Sequence, residues 1–464
     1  LSQLSTFTFQ LFVNEGRCIM VMSPVETIRQ NKEHTIASWM AQGTWNPIPI
    51  ERAEGIYIYD QNGKRYMDWS SQLVNVNIGH SHPHVVKAIQ EQAAKLCYVD
   101  PSFATEPRGK LGEMLAAVAP DMKKAFFTNG GADGIENAMK MARLVTGRQK
   151  VLTRYKSYHG ATFAAMTAGG DPRRLANEPG VPWIVRLPDP YAYRNPIYRG
   201  RTQEEGDAII ADLIEDQVLM EGPENCAAIL IEGYSGTSGI IQPSALFYSR
   251  LREICDQYGM LLIVDEVMSG FGRTGEWFGI QHYPDVKPDL MVLAKGITSG
   301  YIPLGAVLVS PAVAHYFDDH VLHGGLTYSA HALACAAGVA NMEVYHNENL
   351  IERSRTMGKV LRRGLTDLAE KHPVIGDIRG AGLHQVIELV KNRDTREPLS
   401  AFNKPFSDPM KKAAVALKQN GLSTMVRWNM IFSCPPLIVT EEQIQEGLSI
   451  LDGVLAMLDD EYEE

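Results

Sequence analysis

Apolar positions along the chain follow two different rhythms. Near the start, Gly55-Ile56-Tyr57-Ile58-Tyr59-Asp60 and Arg65-Tyr66-Met67-Asp68-Trp69 flank Gln61-Asn62-Gly63-Lys64. Two short β-rich runs around Asn-Gly predict a hairpin, because those residues tolerate the positive φ of a tight turn. Polar-helical patterning covers Ser23 to Gln42, with helices also predicted over His84 to Leu96 and Glu106 to Ala119. In the middle, short continuous apolar runs end in polar residues or glycine: Lys124 to Thr128, Cys226 to Glu232, Met260 to Asp265 and Leu290 to Lys295. Such runs suit strands buried on both faces of a parallel sheet, and their alternation with helical stretches predicts an α/β architecture. From about residue 340 the chain is helix-rich. Ile375 to Leu383 leads into a strand-like stretch, and an amphipathic helix from Glu441 to Leu458 precedes an acidic, solvated end.

Composition narrows this picture. The 464 residues are 45% hydrophobic and 21% charged, enough apolar material for sizeable cores. At about 150 residues per domain the length predicts two to three lobes. Forty-four Lys and Arg against 54 Asp and Glu give a formal charge of −10, which argues against a nucleic-acid partner. Six scattered cysteines without Cys-x-x-Cys spacing read as reduced thiols of a cytoplasmic protein, not a disulfide scaffold or metal site. No apolar run reaches the roughly 18 residues of a membrane helix. Residues 1–21 are interrupted by Asn14, Glu15 and Arg17 and are expected to be a mobile extension, with a targeting peptide the less favoured reading.

Open α/β sheets bind ligands at the carboxyl ends of their strands, so the residues at the ends of the apolar runs carry the candidate chemistry. Asn129-Gly130-Gly131-Ala132 lies between a strand and a helix. Small residues there let backbone N–H groups approach a phosphate, although an ordinary tight turn has the same composition. Asp265 ends a strongly apolar run and either caps a helix or holds a protonated ring nitrogen. Lys295 ends another, where it either reaches for solvent or carries a Schiff base. Tyr158-His159-Gly160 offers an aromatic ring for stacking or for packing. Each part has a bland explanation. Together, a phosphate loop, a stacking aromatic, a strand-end Asp and a strand-end Lys are the parts that pyridoxal phosphate needs.

With these motifs the chain resembles the class III, fold type I, pyridoxal-phosphate-dependent aminotransferases, and within them the ω-amino acid, taurine and amine:pyruvate transaminases. The resemblance runs from about Ile36 to Ile450. It is carried by Phe127 to Ala132, Tyr158-His159-Gly160, Val264-Asp265-Glu266-Val267 with Gly270 to Gly275, Ala294-Lys295-Gly296, and Leu326-Thr327-Tyr328-Ser329. It departs from the family at Gly130, where serine is more usual, and at Ile231-Glu232-Gly233, where Glu-Pro is more usual.

The resemblance implies a large domain over residues 75–340 with a mainly parallel seven-stranded sheet flanked by helices. A smaller α+β domain would be assembled from residues 22–74 and 341–464. It implies Lys295 as the cofactor-anchoring and proton-shuttling residue and Asp265 as the partner of the ring nitrogen. Val267 and Tyr158 would cover the ring faces, with His159 and Glu232 also at the cofactor. Gly130, Gly131, Ala132 and the partner subunit's Thr327 would hold the phosphate, making a homodimer the minimum and a tetramer an open alternative. Trp45, Leu73, Val74 and Ala161 are expected to line the substrate pocket. Arg427 either binds a substrate carboxylate or sulfonate or sits in an ion pair. The expected reaction moves an amino group from an amine or ω-amino acid to a keto acid, pyruvate in particular, by a ping-pong mechanism. A same-fold aminomutase, decarboxylase or racemase, or a non-catalytic relative, is the alternative.

Overall fold

The central apolar runs of the chain form seven strands of one sheet. We number them β1 (Lys124–Thr128), β2 (Lys150–Arg154), β3 (Ile184–Leu187), β4 (Cys226–Glu232), β5 (Leu261–Asp265), β6 (Leu290–Leu293) and β7 (Gly305–Val309). The computed structural model describes residues 9–14, 17–119 and 121–463. In space the order is β1-β7-β6-β5-β4-β2-β3. Strands β2 to β6 run parallel, whereas β7 is antiparallel to both β6 and β1.

The continuous apolar runs are explained by helices on both faces of the sheet. Ile263, Leu290 and Val292 belong to one buried cluster with Ile135, Ala138 and Met139 of the helix Gly131–Thr146. Their neighbours Leu262, Val264, Met291 and Leu293 belong to the other cluster. The period-2 alternation of the strand is intact, but both of its sides are dry and therefore apolar.

The parallel strands have a functional consequence. Because β4, β5 and β6 point the same way, their carboxyl ends share one edge. Asp265 is in register with Glu232 on one side and Val292 on the other.

The two chain ends fold together. The predicted hairpin is present as Tyr57–Asp60 and Arg65–Asp68, extended by Ile50–Glu54, and Leu422–Ser423 from the far end of the chain joins it in parallel. A second small sheet combines Ile375–Ala381, His384–Leu389, Met430–Ser433 and Val426–Arg427. Trp69 links them: it is fully buried, its Nε1–H donates to Ser433 Oγ at 2.9 Å, and helix Glu441–Ala456 passes over its ring at Gly447. Arg273 ties the large unit to both ends. Its buried guanidinium donates to Asn77 Oδ1, Ser71 Oγ and the carbonyls of Leu383, Cys434 and Pro435 at 2.7–3.2 Å. Helix Ala332–Asn347 packs on helices Pro83–Lys95 and Glu106–Val118 and runs through the boundary expected at residue 340.

Three local expectations change. The helix predicted over Ser23 to Gln42 covers only Pro24–His34. None of its residues is fully buried, so no core-facing stripe carries the helix beyond His34. Ile375 to Ala381 does not merely lead into a strand but is one. In the extension expected to be mobile, Phe9–Asn14 and Arg17–Met22 pair as an antiparallel ladder. The same expectation for residues 1–8 and 15–16 lies outside the described residues.

A Cβ on Gly447 would lie 2.3 Å from Cζ3 of the buried, hydrogen-bonded Trp69 ring. Gly447→Ala should therefore cost about 1–3 kcal/mol in urea unfolding, and an unchanged midpoint would show that the chain ends are less tightly joined than described.

Candidate active site

At the shared edge of the sheet, three strand ends present charge. Asp265 and Glu232 are each 4% exposed. One Asp265 oxygen accepts the backbone N–H of Val267 at 2.9 Å, and the other is 2.8 Å from His159 Nδ1. The far nitrogen of His159 is 3.3 Å from Thr153 Oγ1, so the imidazole is held at both ends. Glu232 accepts from the N–H of Gly236 at 3.0 Å and faces the guanidinium of Arg154 at 3.6 Å. Lys295 follows β6 with φ +47 and starts a short helical turn. Among the described residues, it makes no ion pair with either carboxylate, which are paired to His159 and Arg154 instead.

The electrostatics follow from depth. Burial lowers the Lys295 amine from its ordinary 10.5 to about 8, although the negative charges of Asp265 and Glu232 pull the other way. Burial also pushes Glu232 up to about 7, against the opposing pull of His159 and Arg154. Glu266 is likewise raised to about 7 by burial, but it accepts from Ser269 Oγ, Gly279 N and Ile280 N at 2.6–2.8 Å and serves to fix the loop after β5.

The loop after β1 closes one side of the site. Gly130 precedes the 16-residue helix Gly131–Thr146, whose N-terminus has no side-chain cap. The exposed N–H groups and the helix dipole there favour an anion. A Cβ on Gly131 would lie 2.9 Å from Val267 Cγ2 and 3.6 Å from the Cβ of Ala294, so this loop, Val267 and the residue before Lys295 are in contact. Gly160 has φ +134, and a Cβ there would fall 2.5 Å from that of Ala132, so only glycine lets the Tyr158-His159-Gly160 turn pack against the loop. Gly130, Gly131, Ala132, Tyr158, Val267 and Lys295 are all partly accessible, in a region whose neighbours are mostly buried. An uncapped helix N-terminus, an aromatic face, a carboxylate fixed by imidazole and a strand-end amine thus line one accessible space. That donor set fits a flat, phosphorylated aldehyde with a basic ring nitrogen.

The remaining predicted residues are more dispersed. Arg427 is in an ion pair, with Asp171, and its guanidinium lies 4.1 Å from the Trp428 ring centroid. Thr327 is exposed, with its carbonyl accepting from Tyr98 Oη at 2.7 Å. Trp45 is half-buried, Leu73 is 51% exposed and Ala161 is exposed. Val74 does not fit the expectation of a pocket wall: at 1% exposure it belongs to the apolar core cluster that includes Trp69 and Ile78, where a β-branched side chain gains most.

Sequence reasoning missed Arg154, Asp171 and Arg173. Arg154 ends the apolar run of β2, so the strand-end rule already applied to Asp265 and Lys295 pointed to it. Asp171 and Arg173 lie in a loop and carried no comparable signal.

Comparisons with known proteins agree with this geometry. The family model for class III aminotransferases matches residues 39–455. A taurine–pyruvate aminotransferase of Bilophila wadsworthia is 33% identical over 463 residues, covering 96% of this chain and 100% of that protein. The crystal structure of taurine:2-oxoglutarate aminotransferase from Bifidobacterium kashiwanohense, in complex with PLP and glutamate, superposes with a TM-score of 0.91 at 44% identity, covering 95% of this chain and 99% of that one. An (S)-enantioselective ω-transaminase from Thermomicrobium roseum gives a TM-score of 0.88 at 33% identity, over 96% and 100%.

The depressed Lys295 amine predicts a pH-dependent stability. Between pH 8 and 10.5 the unfolded chain binds the proton that the folded chain has lost, so its contribution to stability rises with pH across that window. Below pH 8 the cost of holding the charged amine at depth is fully present. In the cofactor-free protein, Lys295→Met should therefore raise stability at pH 7 by about 1–3 kcal/mol, with the gain shrinking above pH 8. Chemical denaturation at pH 7 and pH 10 checks this, and a variant less stable at both would contradict it.

Proposed function

Because the chain belongs to the class III aminotransferases, enzymes that depend on pyridoxal phosphate, we propose that it moves an amino group from an amine or ω-amino acid to a 2-keto acid, with pyruvate as the expected acceptor. The observation that carries this reading is Lys295, an amine brought down to about 8 beside a carboxylate that imidazole and backbone hold in place. When bound, pyridoxal phosphate supplies an aldehyde that carries the amino group and a ring that accepts the electron pair released as the substrate C–H is deprotonated.

The residues of this chain divide the remaining work. The N–H groups of Gly131 and Ala132 at the helix start would bind the phosphate, joined by the partner subunit's Thr327 in a homodimer. Exposure of Thr327 supports that assembly. Asp265 would hold a proton on the ring nitrogen, and the His159 and Val267 contacts keep its two oxygens aimed. Val267 and Tyr158 would cover the ring. Lys295 Nζ would anchor the cofactor between turnovers, then take the proton from the substrate carbon and return it, since an amine near 8 is partly neutral at neutral pH. Glu232, raised to about 7 by burial, would place a negative charge beside the amine in its ionised form, with Arg154 facing it. Arg427 is the group for a substrate carboxylate or sulfonate, with Trp45, Leu73 and Ala161 as the apolar part of the pocket. A cytoplasmic location is part of this reading. It is supported by Cys226, Cys255, Cys335 and Cys434, which are free and buried. Among the described residues, no helix is long and apolar enough to cross a membrane.

A donor panel of taurine, β-alanine and 1-phenylethylamine, with pyruvate or 2-oxoglutarate as acceptor, tests the reaction. At least one donor should consume keto acid one-for-one with a new amino acid. Conversion of the donor with its amino group retained and no keto acid consumed would instead favour a decarboxylase, racemase or mutase outcome. Asp265→Asn should still take up cofactor yet lose about 100-fold or more in kcat, and near-normal turnover would contradict the role given to Asp265.

A further inference from the structure

Arg427 belongs to a charged cluster whose other two members, Asp171 and Arg173, have no part in the reaction proposed above. Asp171 is 4% exposed and lies between two arginines. Its Oδ1 accepts from the backbone N–H of Arg173 at 3.0 Å and from Arg173 Nε at 2.7 Å. Its Oδ2 accepts from Arg173 Nη2 at 3.2 Å and from Arg427 Nη2. Burial works against the charged carboxyl, but the Arg173 hydrogen bond and the two guanidinium charges outweigh it and hold Asp171 below the usual carboxylate range. Two guanidiniums on one carboxylate leave the cluster with one uncompensated positive charge.

The cluster also adjoins the reacting groups. The Arg173 guanidinium lies 3.8 Å from the Tyr158 ring centroid, and Tyr158 precedes the histidine that holds Asp265. Arg173's charge contributes to lowering the Lys295 amine. The two arginines are held unequally. Arg173 grips Asp171 from two residues away through three nitrogens, whereas Arg427 reaches it from a distant strand through one. Arg427 Nε is buried and has no partner among the described residues. Of the two contacts, Arg427–Asp171 is the one that an incoming anion can replace.

We propose that Asp171 is a specificity-determining residue. It acts as an internal anion that occupies Arg427 until a substrate carboxylate or sulfonate takes its place, while Arg173 retains Asp171 and supplies the surplus positive charge. This rests on Arg427 being the anion-binding group of the proposed reaction. The cost of exchange is the discriminating element: an anionic substrate must outbid Asp171, whereas a neutral amine leaves the pair intact. No bond is made or broken, and one ion pair replaces another.

The test uses the holoenzyme and two non-reacting analogues without an amino group, ethanesulfonate and propionate, titrated by calorimetry. Asp171→Asn keeps an oxygen to accept the Arg173 N–H at the start of the turn Pro172–Asn177 and removes only the charge. It should tighten both anions about tenfold. Arg173→Gln should weaken them about tenfold, because Asp171 then belongs to Arg427 alone. In turnover, Asp171→Asn should lower the KM ratio of taurine to 1-phenylethylamine by a similar factor, a split that a purely structural role would not produce. Unchanged or weaker anion binding in Asp171→Asn, no binding in either protein, or a parallel shift for both donors would overturn the proposal. The titration needs no turnover. Failed amino transfer with the predicted affinity shifts would count against the reaction, not against the exchange at Arg427.

Discussion

The structure depends on keeping an amine at depth beside two carboxylates without letting it pair with either. Lys295 can be held there because β4, β5 and β6 are parallel and buried on both faces, so their ends converge on one edge. Had Asp265 been free to rotate, it would have neutralised Lys295 directly. His159 and the Val267 N–H occupy its two oxygens, while Glu232 accepts from the Gly236 N–H and faces the Arg154 guanidinium at 3.6 Å. Among the described residues, the amine is left with the carboxylates' field but without their hydrogen bonds, and burial brings it to about 8. A buried charge without a close partner is costly, and the rest of the fold provides the rigidity that sustains it.

Much of that rigidity comes from polar groups at the junction of the chain ends. Among the described residues, the guanidinium of Arg273 has no carboxylate partner. It is satisfied by three carbonyls and two side-chain oxygens drawn from Ser71, Asn77, Leu383, Cys434 and Pro435. Hydrogen bonds to a charged group contribute roughly 1.5–3 kcal/mol each, and stranding their acceptors costs comparably. Removing Arg273 would therefore uncouple segments that are far apart in sequence and close in space. Trp69 does the same with apolar area, covered by Gly447 on the C-terminal helix.

How much was legible in the sequence divides along a physical line. Strand ends were readable because burial on both faces writes a continuous apolar run that stops at the chemistry: Thr128, Glu232, Asp265 and Lys295 all follow that rule. The loop glycines at Gly130 and Gly131 were readable because backbone must approach an anion there, whereas the close packing of Gly160 on Ala132 was not. Pairings across long sequence distance were not readable. His159 to Asp265, Arg427 to Asp171 and Arg154 to Glu232 are set by how loops and strand ends meet in three dimensions, and no local pattern encodes them. The helix after Ser23 was overextended because its polar pattern has no buried face to fix its length. Val74 is buried in the core, and an apolar residue near a pocket and one in the core look alike in one dimension.

A second amine makes the central claim directly testable. Lys156 is also brought to about 8 by burial, and its Nζ lies 3.2 Å from the Phe402 ring centroid. Low basicity alone would make both lysines candidates for the cofactor, whereas the strand-end geometry selects Lys295. Borohydride reduction of the holoenzyme, followed by peptide mapping, discriminates between them. Pyridoxyl label confined to Lys295 is the result predicted, and label on Lys156, or on no lysine in a protein that has taken up cofactor, would contradict it.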